Sequence, residues 1–288
     1  MFVDRLVLGT AQLGTKYGIT VDGRQEFTDA GALRILETAW EAGVRVFDTA
    51  PVYGSERLLG SFIRAHGLET KIKLCSKVSR QTREQYQRSE IQDTINQSMA
   101  ILGVESLHVL FFHQASDIHP FLDDYEFIEK VRSEFSISKI GVSVYEVEEL
   151  DMLRPYRECL AIQFPISLVN REFQDVNLRP ALAFARSVFL QGVLLDNTVL
   201  DDRAPEELRE FRQKYLQTLR RRGISPTQYA LSYAFSQSLV DHIIVGVQTP
   251  RQLREIVESG SIEFEEMAEI AELISRLNSE IVDPRKWS

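Results

Sequence analysis

Short apolar segments alternate with helical patterns of ten or more residues along the whole chain of 288 residues. Strands that alternate with helices of this length are typical of a parallel sheet. Two observations favour a closed barrel over an open sheet. The unit repeats over the whole length, and no Gly-x-Gly-x-x-Gly motif follows the first predicted strand. The sequence therefore predicts an α/β fold, a single (β/α)8 TIM barrel with parallel strands, as one domain over 1–288 with a C-terminal tail at 280–288.

The predicted strands are short, apolar and rich in β-branched residues. The clearest is 44–47, which is apolar enough to be buried on both faces. The first strand opens the segment 6–14, and the seventh falls with its following loop within 187–194. In chain order the predicted strands lie at 6–14, 44–47, 73–76, 109–112, 139–142, 161–164, 187–194 and 242–246.

The predicted helices combine apolar residues at helical spacing with recognisable ends. The first helix runs from Thr28 towards Gly43, which lies where a C-terminal cap belongs. Ser55 is predicted to cap the second helix. Ser225 and Thr249 are each followed by proline and are predicted to cap two later ones. In chain order the predicted helices lie at 28–43, 57–66, 84–102, 121–135, from 225, from 249 and at 263–277.

Composition excludes several classes of function. Hydrophobic residues make up 44% of the chain and charged residues 26%, as in ordinary soluble domains. The net charge of −9 argues against a nucleic acid or an anionic membrane as partner, because either needs a basic face. The two cysteines, Cys75 and Cys159, form no Cys-x-x-Cys pair, so neither a disulfide framework nor a zinc site is expected. No apolar run reaches 18 residues and none follows a basic start, so a cytoplasmic protein is expected.

Three consecutive predicted strands end in polar residues, Asp48, Lys77 and His113. In a parallel barrel these strand ends share the C-terminal rim, where barrel enzymes carry their active sites. Tyr53 joins them from the loop that follows Asp48. Taken singly, each residue has an ordinary structural explanation as a cap, a surface charge or a packing group. Their joint occurrence at successive strand ends favours a catalytic site.

The motif F-D-T-A-P-V-Y-G at 47–54, followed by a strand-end lysine and a strand-end histidine, resembles the aldo-keto reductases. These are TIM barrels that use NAD(P)H to reduce aldehydes and ketones, and the resemblance runs from Leu6 to about Glu258. It implies that Asp48, Tyr53, Lys77 and His113 form the catalytic tetrad.

The chemistry of carbonyl reduction requires such a set of groups. Hydride addition leaves an alkoxide that must be protonated, and Tyr53 can act as the acid. The Lys77 ammonium favours the phenolate and so lowers a tyrosine pKa whose ordinary value is about 10. Asp48 keeps the lysine charged, and neutral His113 donates to the carbonyl oxygen. No metal is expected to take part.

The resemblance also implies which residues hold the cofactor near the reacting end. Gly9 and Thr10 are expected beside the nicotinamide, while Ser143 and Gln163 are expected to bond its carboxamide, with Val144 in place of a usual asparagine. The platform under the ring is either Arg186 or Phe189, and the sequence leaves this open. Gln191 and Gly192 belong to the loop predicted over the pyrophosphate, followed by a polar and mobile flap at 196–205.

The helix that opens at Thr249 is the predicted seat of a cofactor phosphate, because its N-terminus gathers unpaired N–H groups. The resemblance assigns Gly246, Gln248, Gln252 and Glu255 to the same region. Gly246 and Gln252 stand where NADPH-specific members carry Lys and Arg. Arg251 and Arg254 are close enough to substitute, so NADP is the expected cofactor and NAD the alternative.

The expected function is therefore NAD(P)H-dependent reduction of a small-molecule carbonyl compound. The opening G-T-A-Q-L-G-T-K-Y-G-I at 9–19 is similar to reductases of bacterial sugar and surface-polysaccharide metabolism, which favours a sugar-derived substrate. Three alternatives stay open: an aldose dehydrogenase working oxidatively, a class I aldolase-like barrel using Lys77, and a nucleotide-sensing subunit without catalysis. Asp48 argues against the aldolase. The candidates for lining the substrate pocket are Tyr17, Phe112, Tyr145, Phe164 and Arg171.

Overall fold

Eight parallel strands close into a barrel in the order β1 to β8, which confirms the predicted fold class. The computed structural model describes residues 2–14, 28–79, 88–156, 158, 160–200, 202, 204–260, 263–278 and 280–287. The strands are β1 Leu6–Gly9, β2 Val46–Asp48, β3 Lys73–Val78, β4 Leu107–Phe112, β5 Ile137–Ser143, β6 Leu160–Pro165, β7 Leu182–Arg186 and β8 His242–Val245.

Helices follow the strands and cover the outside of the barrel. They are α1 Ala11–Gly14, α2 Asp29–Glu41, α3 Glu56–His66, α4 Arg88–Leu102, α5 Ala115–Ile118, α6 Tyr125–Glu134, α7 Leu150–Leu153, α8 Glu206–Arg222, α9 Pro226–Ser236, α10 Pro250–Ser259 and α11 Ala268–Ser275. The expected caps of α9 and α10 are confirmed, since Ser225 and Thr249 each accept a backbone N–H of the first turn. Ser55 makes no such bond. The part of the third predicted helix at 84–87 lies outside the described residues.

The prediction of the seventh strand within 187–194 is wrong. Strand β7 ends at Arg186, and the chain then turns, with φ of 62° at Ser187 and 51° at Gln191. Such left-handed conformations cannot continue a strand. The run Val188 to Leu190 is apolar because it is a buried loop.

The barrel interior is filled by side chains of alternate strand positions, which pack as one cluster. Phe184 of this cluster stacks on His242, the first residue of β8, at 4.7 Å between ring centroids. The cluster consists of Val7, Val46, Cys75, Val109, Phe111, Ala161 and Phe184. A second and larger apolar layer lies between the strands and the helices.

Strand periodicity places polar groups on top of this interior cluster. Side chains two positions apart lie on the same face of a strand, so the residue two positions after an interior hydrophobic residue also faces inward. The residues placed in this way are Asp48 after Val46, Lys77 after Cys75, His113 after Phe111, Gln163 after Ala161 and Arg186 after Phe184. In the part of the chain that the structure describes, no helix is long and apolar enough to cross a membrane.

Candidate active site

The four predicted tetrad residues meet at the C-terminal rim of the barrel. Asp48 ends β2, Lys77 lies one residue before the end of β3, and His113 directly follows β4. Tyr53 ends a short 3-10 turn that begins at Pro51. Because β2, β3 and β4 are neighbours in the barrel, their ends bring these side chains together.

Asp48 and Lys77 form a buried ion pair. The Lys77 Nζ donates to Asp48 Oδ1 at 2.5 Å and to the Thr49 carbonyl oxygen at 3.1 Å. Only 1% of the lysine side chain is exposed. Burial by itself would lower the pKa of Lys77, but the charge of Asp48 and its hydrogen bond outweigh burial and raise the pKa. The ammonium is therefore held in its charged form.

Gln163 completes this pair from the other side of the barrel. Its Nε2 donates to Asp48 Oδ2 at 3.0 Å, so both oxygens of the carboxylate are engaged. The sequence resemblance implied a bond from Gln163 to the cofactor amide. The structure adds a second task, because a carboxylate held at both oxygens cannot rotate away from Lys77.

Tyr53 and His113 face each other beside the ion pair. Their ring centroids lie 6.0 Å apart with perpendicular planes, and Lys77 Nζ lies 5.1 Å from the centroid of the Tyr53 ring. Burial and, next, the Lys77 charge lower the pKa of His113 to about 4. The imidazole is therefore neutral at physiological pH and can donate one N–H.

Gly14 fixes the turn that carries Tyr53, a role that the sequence did not reveal. A Cβ atom at Gly14 would lie 2.0 Å from the Tyr53 carbonyl oxygen and 2.6 Å from the Ser55 nitrogen. Such distances are far below van der Waals contact, so only glycine allows α1 to approach the turn this closely.

A cavity of about 150 Å³ extends from the tetrad towards α10. Asp48, Tyr53 and Gln163 line its inner end, and Gln248 and Gln252 line the other. The predicted cofactor residues along its wall are Gly9, Gln163, Arg186, Phe189, Gln191, Gly192, Gly246, Gln248 and Gln252. The further lining residues, which had not been predicted, are Ala11, Gln12, Ser187, Val188, Leu195, Thr198, Ile244 and Val247.

Thr10 and Ser143 are both buried, and Thr10 supports the site from behind. The Thr10 hydroxyl donates to the Asp48 carbonyl oxygen at 3.0 Å and lies 2.9 Å from the Ser55 hydroxyl. Ser143 pairs in register with Gln163 at the ends of β5 and β6. Thr10 thus fixes the backbone of Asp48.

The first turn of α10 is already hydrogen-bonded. Thr249 Oγ1 accepts from the Gln252 N–H at 3.1 Å, and Gln252 Oε1 accepts from the Gln248 N–H at 2.7 Å. Arg251 is 87% exposed and donates to Glu255 at 2.8 Å. Arg254 is exposed on the same helix. The two arginines lie at the surface, beyond the lining of the cavity.

The loop after β7 is held by hydrogen bonds from α8, and the predicted flap at 196–205 begins within it; the mobility of that flap stays a prediction, and 201 and 203 lie outside the described residues. The Arg212 guanidinium of α8 donates to the carbonyl oxygens of Val193, Leu195 and Thr198 at 3.0, 2.6 and 2.7 Å. The Thr198 hydroxyl in turn donates to the Gly192 carbonyl at 2.7 Å. These bonds order the wall of the cavity between 192 and 198.

Two of the expected pocket residues lie elsewhere. Phe112 and Phe164 are one position out of phase with the interior residues, so they point outward and pack in the layer beneath the helices. Tyr145 and Arg171 line a second cavity of about 750 Å³, between the β5 to β7 loops and the C-terminal tail. Tyr17 lies outside the described residues.

The family model described as the aldo/keto reductase family matches residues 5–275 of the chain. The chain belongs to the aldo/keto reductase family. It is therefore an oxidoreductase of the class that interconverts carbonyl compounds and alcohols with NAD(P).

The similarity to individual relatives is distant but extends over most of the chain. The sequence is 24% identical over 308 residues to D-threo-aldose 1-dehydrogenase of a Pseudomonas species, covering 91% of each chain. It is 26% identical over 179 residues to the aldo-keto reductase YhdN of Bacillus subtilis, and this match spans 59% of the chain but about half of YhdN, 52%. The holo form of aldo-keto reductase AKR11C1 from Bacillus halodurans superposes with a TM-score of 0.72 at 18% identity, covering 98% of this chain and 95% of that one.

The residues that line the cavity are compatible with a nicotinamide nucleotide, the kind of cofactor that the family uses. A Cβ at Gly9 would lie 3.0 Å from the Ile244 side chain, so glycine leaves room for Ile244 in the cavity wall. Gln12 lines the cavity, and its buried Oε1 has no hydrogen-bond partner within the described part of the chain, which leaves an acceptor for a ligand. Gly246 makes room for this amide, since a Cβ there would lie 2.7 Å from Gln12 Oε1. No group of three potential metal ligands is found among the described residues.

Proposed function

We propose that the protein reduces a carbonyl compound to an alcohol, with Tyr53 as the proton donor. The observation that carries this proposal is the buried Gln163–Asp48–Lys77 network directly beside Tyr53, at the inner end of a cavity whose lining is compatible with the nucleotide. The nucleotide, when bound, supplies the hydride. The chain itself must orient the carbonyl and provide one proton.

Each member of the tetrad has a defined task in this step. The Tyr53 hydroxyl gives its proton to the alkoxide oxygen, and the O–H electrons remain on the phenolate. The Lys77 ammonium stabilises that phenolate, and Asp48 keeps the ammonium charged. Neutral His113 donates an N–H to the same carbonyl oxygen and orients it.

Choice of nucleotide is proposed to depend on Arg251, Arg254 and Glu255. The two arginines provide the charge that NADP requires, which is the basis for NADP in this proposal. The pairing of Arg251 with Glu255 opposes it, because a 2′-phosphate must displace the carboxylate, whereas a ribose hydroxyl could donate to it. Parallel fluorescence titrations with NADPH and NADH measure which of the two nucleotides the protein binds more tightly. Arg251→Ala with Arg254→Ala should weaken NADPH more than NADH, and equal weakening would remove the arginines from this role.

A second candidate function is the oxidation of an aldose with NAD. The Arg251–Glu255 pair favours it, as does the similarity to D-threo-aldose 1-dehydrogenase. The same tetrad serves both directions, because a reaction and its reverse share one transition state. A sugar-derived carbonyl substrate is consistent with either direction, so initial rates on aldoses with NAD and on aldehydes with NADH or NADPH separate the two.

Tyr53→Phe and Lys77→Met test the proton donor. Tyr53→Phe should leave nucleotide binding intact and reduce turnover about 10²- to 10⁴-fold, the usual contribution of a positioned acid. The double variant should be little worse than the more damaged single one, because the two residues act as one device. Tyr156→Phe, which removes one hydroxyl outside both cavities, is the matched control and should keep turnover.

Other outcomes identify the remaining alternatives. Nearly full activity of Tyr53→Phe would place the acid elsewhere. Nucleotide binding without turnover on a broad carbonyl panel would indicate a sensor, and borohydride trapping of a ketose on Lys77 would indicate an aldolase.

A further inference from the structure

Arg186 occupies the wall between the two cavities. It ends β7 on the interior face of the barrel. It lines both the cavity of about 150 Å³ beside Asp48 and Tyr53, here called the tetrad cavity, and the cavity of about 750 Å³ next to it, here called the larger cavity. One guanidinium nitrogen donates to the Val144 carbonyl oxygen at 3.0 Å, and the other lies 3.4 Å from the Ser187 hydroxyl. The group stacks on the Tyr145 ring at 4.1 Å. Packing and hydrogen bonds therefore fix the orientation of this cation.

The charge of Arg186 is not balanced by a neighbouring carboxylate. Among the described residues, no Asp or Glu oxygen lies within 4 Å of its guanidinium. Two other arginines of the larger cavity are neutralised: Arg171 pairs with Glu266, and Arg285 pairs with Asp283. Arg285 contacts the same ring as Arg186, that of Tyr145, at 4.4 Å. Arg186 and Arg285 therefore share surroundings, but only Arg285 is paired with a carboxylate.

The tetrad cavity also lacks another charge to compensate Arg186. The charged residues of its lining are Asp48 and Arg186. Asp48 is already bound to Lys77 and Gln163, and His113 is neutral because burial and Lys77 lower its pKa to about 4. The cavity wall therefore carries one net positive charge at its inner end. A half-buried cation with unused N–H donors favours an anionic ligand, and the planar guanidinium matches a carboxylate in particular.

We propose that Arg186 binds a carboxylate on the substrate, so that the enzyme acts on carbonyl compounds that carry an acidic group. This inference rests on the proposed carbonyl reduction and adds the class of substrate. Two cofactor roles compete for Arg186: the platform under the nicotinamide, which the resemblance leaves open between Arg186 and Phe189, and the binding of the pyrophosphate. Arg186 lies at the tetrad end of the cavity with Asp48 and Tyr53, and the phosphates are expected towards Gln248 and Gln252 at the other end. The larger cavity on the far side of Arg186 provides room for the remainder of such a substrate.

The test compares para-carboxybenzaldehyde with its neutral primary amide, para-formylbenzamide, which has nearly the same shape. We expect kcat/KM of the wild-type protein to favour the acid about 10- to 100-fold, the range of charge-assisted hydrogen bonds. Arg186→Met should abolish this preference, and Arg186→Lys should retain part of it. Arg285→Met is the matched control, because its charge is already paired, and should keep the preference.

Three results would overturn the inference. The first is a wild-type preference for the amide or for neither compound. The second is an Arg186→Met variant that retains the preference for the acid. The third is an equal loss on both aldehydes with a raised Kd for the nucleotide in a fluorescence titration, which would assign Arg186 to the cofactor. If the wild-type protein reduces neither aldehyde, turnover on the broad carbonyl panel decides separately whether the proposed function fails. Calorimetric titration with para-(hydroxymethyl)benzoate and its amide then decides whether Arg186 selects an anion.

Discussion

Asp48→Asn isolates the charge that keeps Lys77 protonated. The substitution preserves the shape of the side chain but removes the partner of an ammonium that is 99% buried, since only 1% of the lysine side chain is exposed. Removal of one partner of a buried ion pair costs about 3–5 kcal/mol of stability. The unpaired lysine could instead lose its proton. From an ordinary pKa of about 10.4, this costs about 4.6 kcal/mol at pH 7, so the loss of stability cannot much exceed that value. We expect the free energy of unfolding to fall by about 3–5 kcal/mol at pH 7.

The pH dependence of this loss has a defined sign. In the wild-type protein the pKa of Lys77 is raised, so its stabilising contribution is complete below about pH 10.4 and is lost only at higher pH. In the variant, burial, which is the largest contribution, is no longer outweighed by Asp48, so we expect the pKa of Lys77 to fall below its ordinary value. The folded variant then binds fewer protons than the unfolded chain, and its stability rises with pH up to about 10.4, by at most about 1.4 kcal/mol per pH unit.

Urea unfolding followed by circular dichroism, at several values between about pH 7 and pH 9, measures this difference. The double variant Asp48→Asn with Lys77→Met should be more stable than Asp48→Asn alone, because it removes the unpaired cation. Glu255→Gln is the control: it breaks an exposed pair with Arg251 and should change stability by less than about 1 kcal/mol. A deficit of Asp48→Asn that stays constant with pH, or a double variant that is no more stable, would refute the reasoning.

Two further predictions concern the supports of the site. Gly14→Ala should lower turnover about 10²-fold at saturating nucleotide, because the added methyl group displaces the Tyr53 turn; Gly31→Ala, where the methyl group meets only a hydroxyl at 3.2 Å, should retain activity in the same steady-state assay. Equal activity of both variants would show that the turn adapts. Arg212→Gln should raise the nucleotide Kd about tenfold in a fluorescence titration, because three carbonyls of the loop at 193–198 lose their donor. An unchanged Kd would mean that the loop keeps its form without Arg212.

The sequence by itself determined the barrel and the meeting of the four predicted tetrad residues at its rim. Alternating strands and helices require parallel strands, and parallel strands in a barrel end at one rim. Asp48, Lys77 and His113 each stand at or just beyond such an end, so their proximity follows from position along the chain. The caps of α9 and α10 could be predicted for a similar reason, because Ser225 and Thr249 bond residues three positions along the chain. The predicted cap Ser55 makes no such bond, because its hydroxyl lies against Thr10 and Thr49.

Only the tertiary structure decided which other groups serve the site. Gln163 reaches Asp48 across 115 residues, and Gly14 touches the Tyr53 turn through contacts that no local pattern encodes. The seventh strand was misplaced because a buried loop is as apolar as a strand. What distinguishes the loop is its left-handed backbone at Ser187 and Gln191 and a donor from elsewhere in the chain, Arg212, which satisfies the Val193 carbonyl. Local patterns fix which backbone a segment can adopt, whereas burial, register and hydrogen-bond satisfaction depend on partners that the folded chain alone brings together.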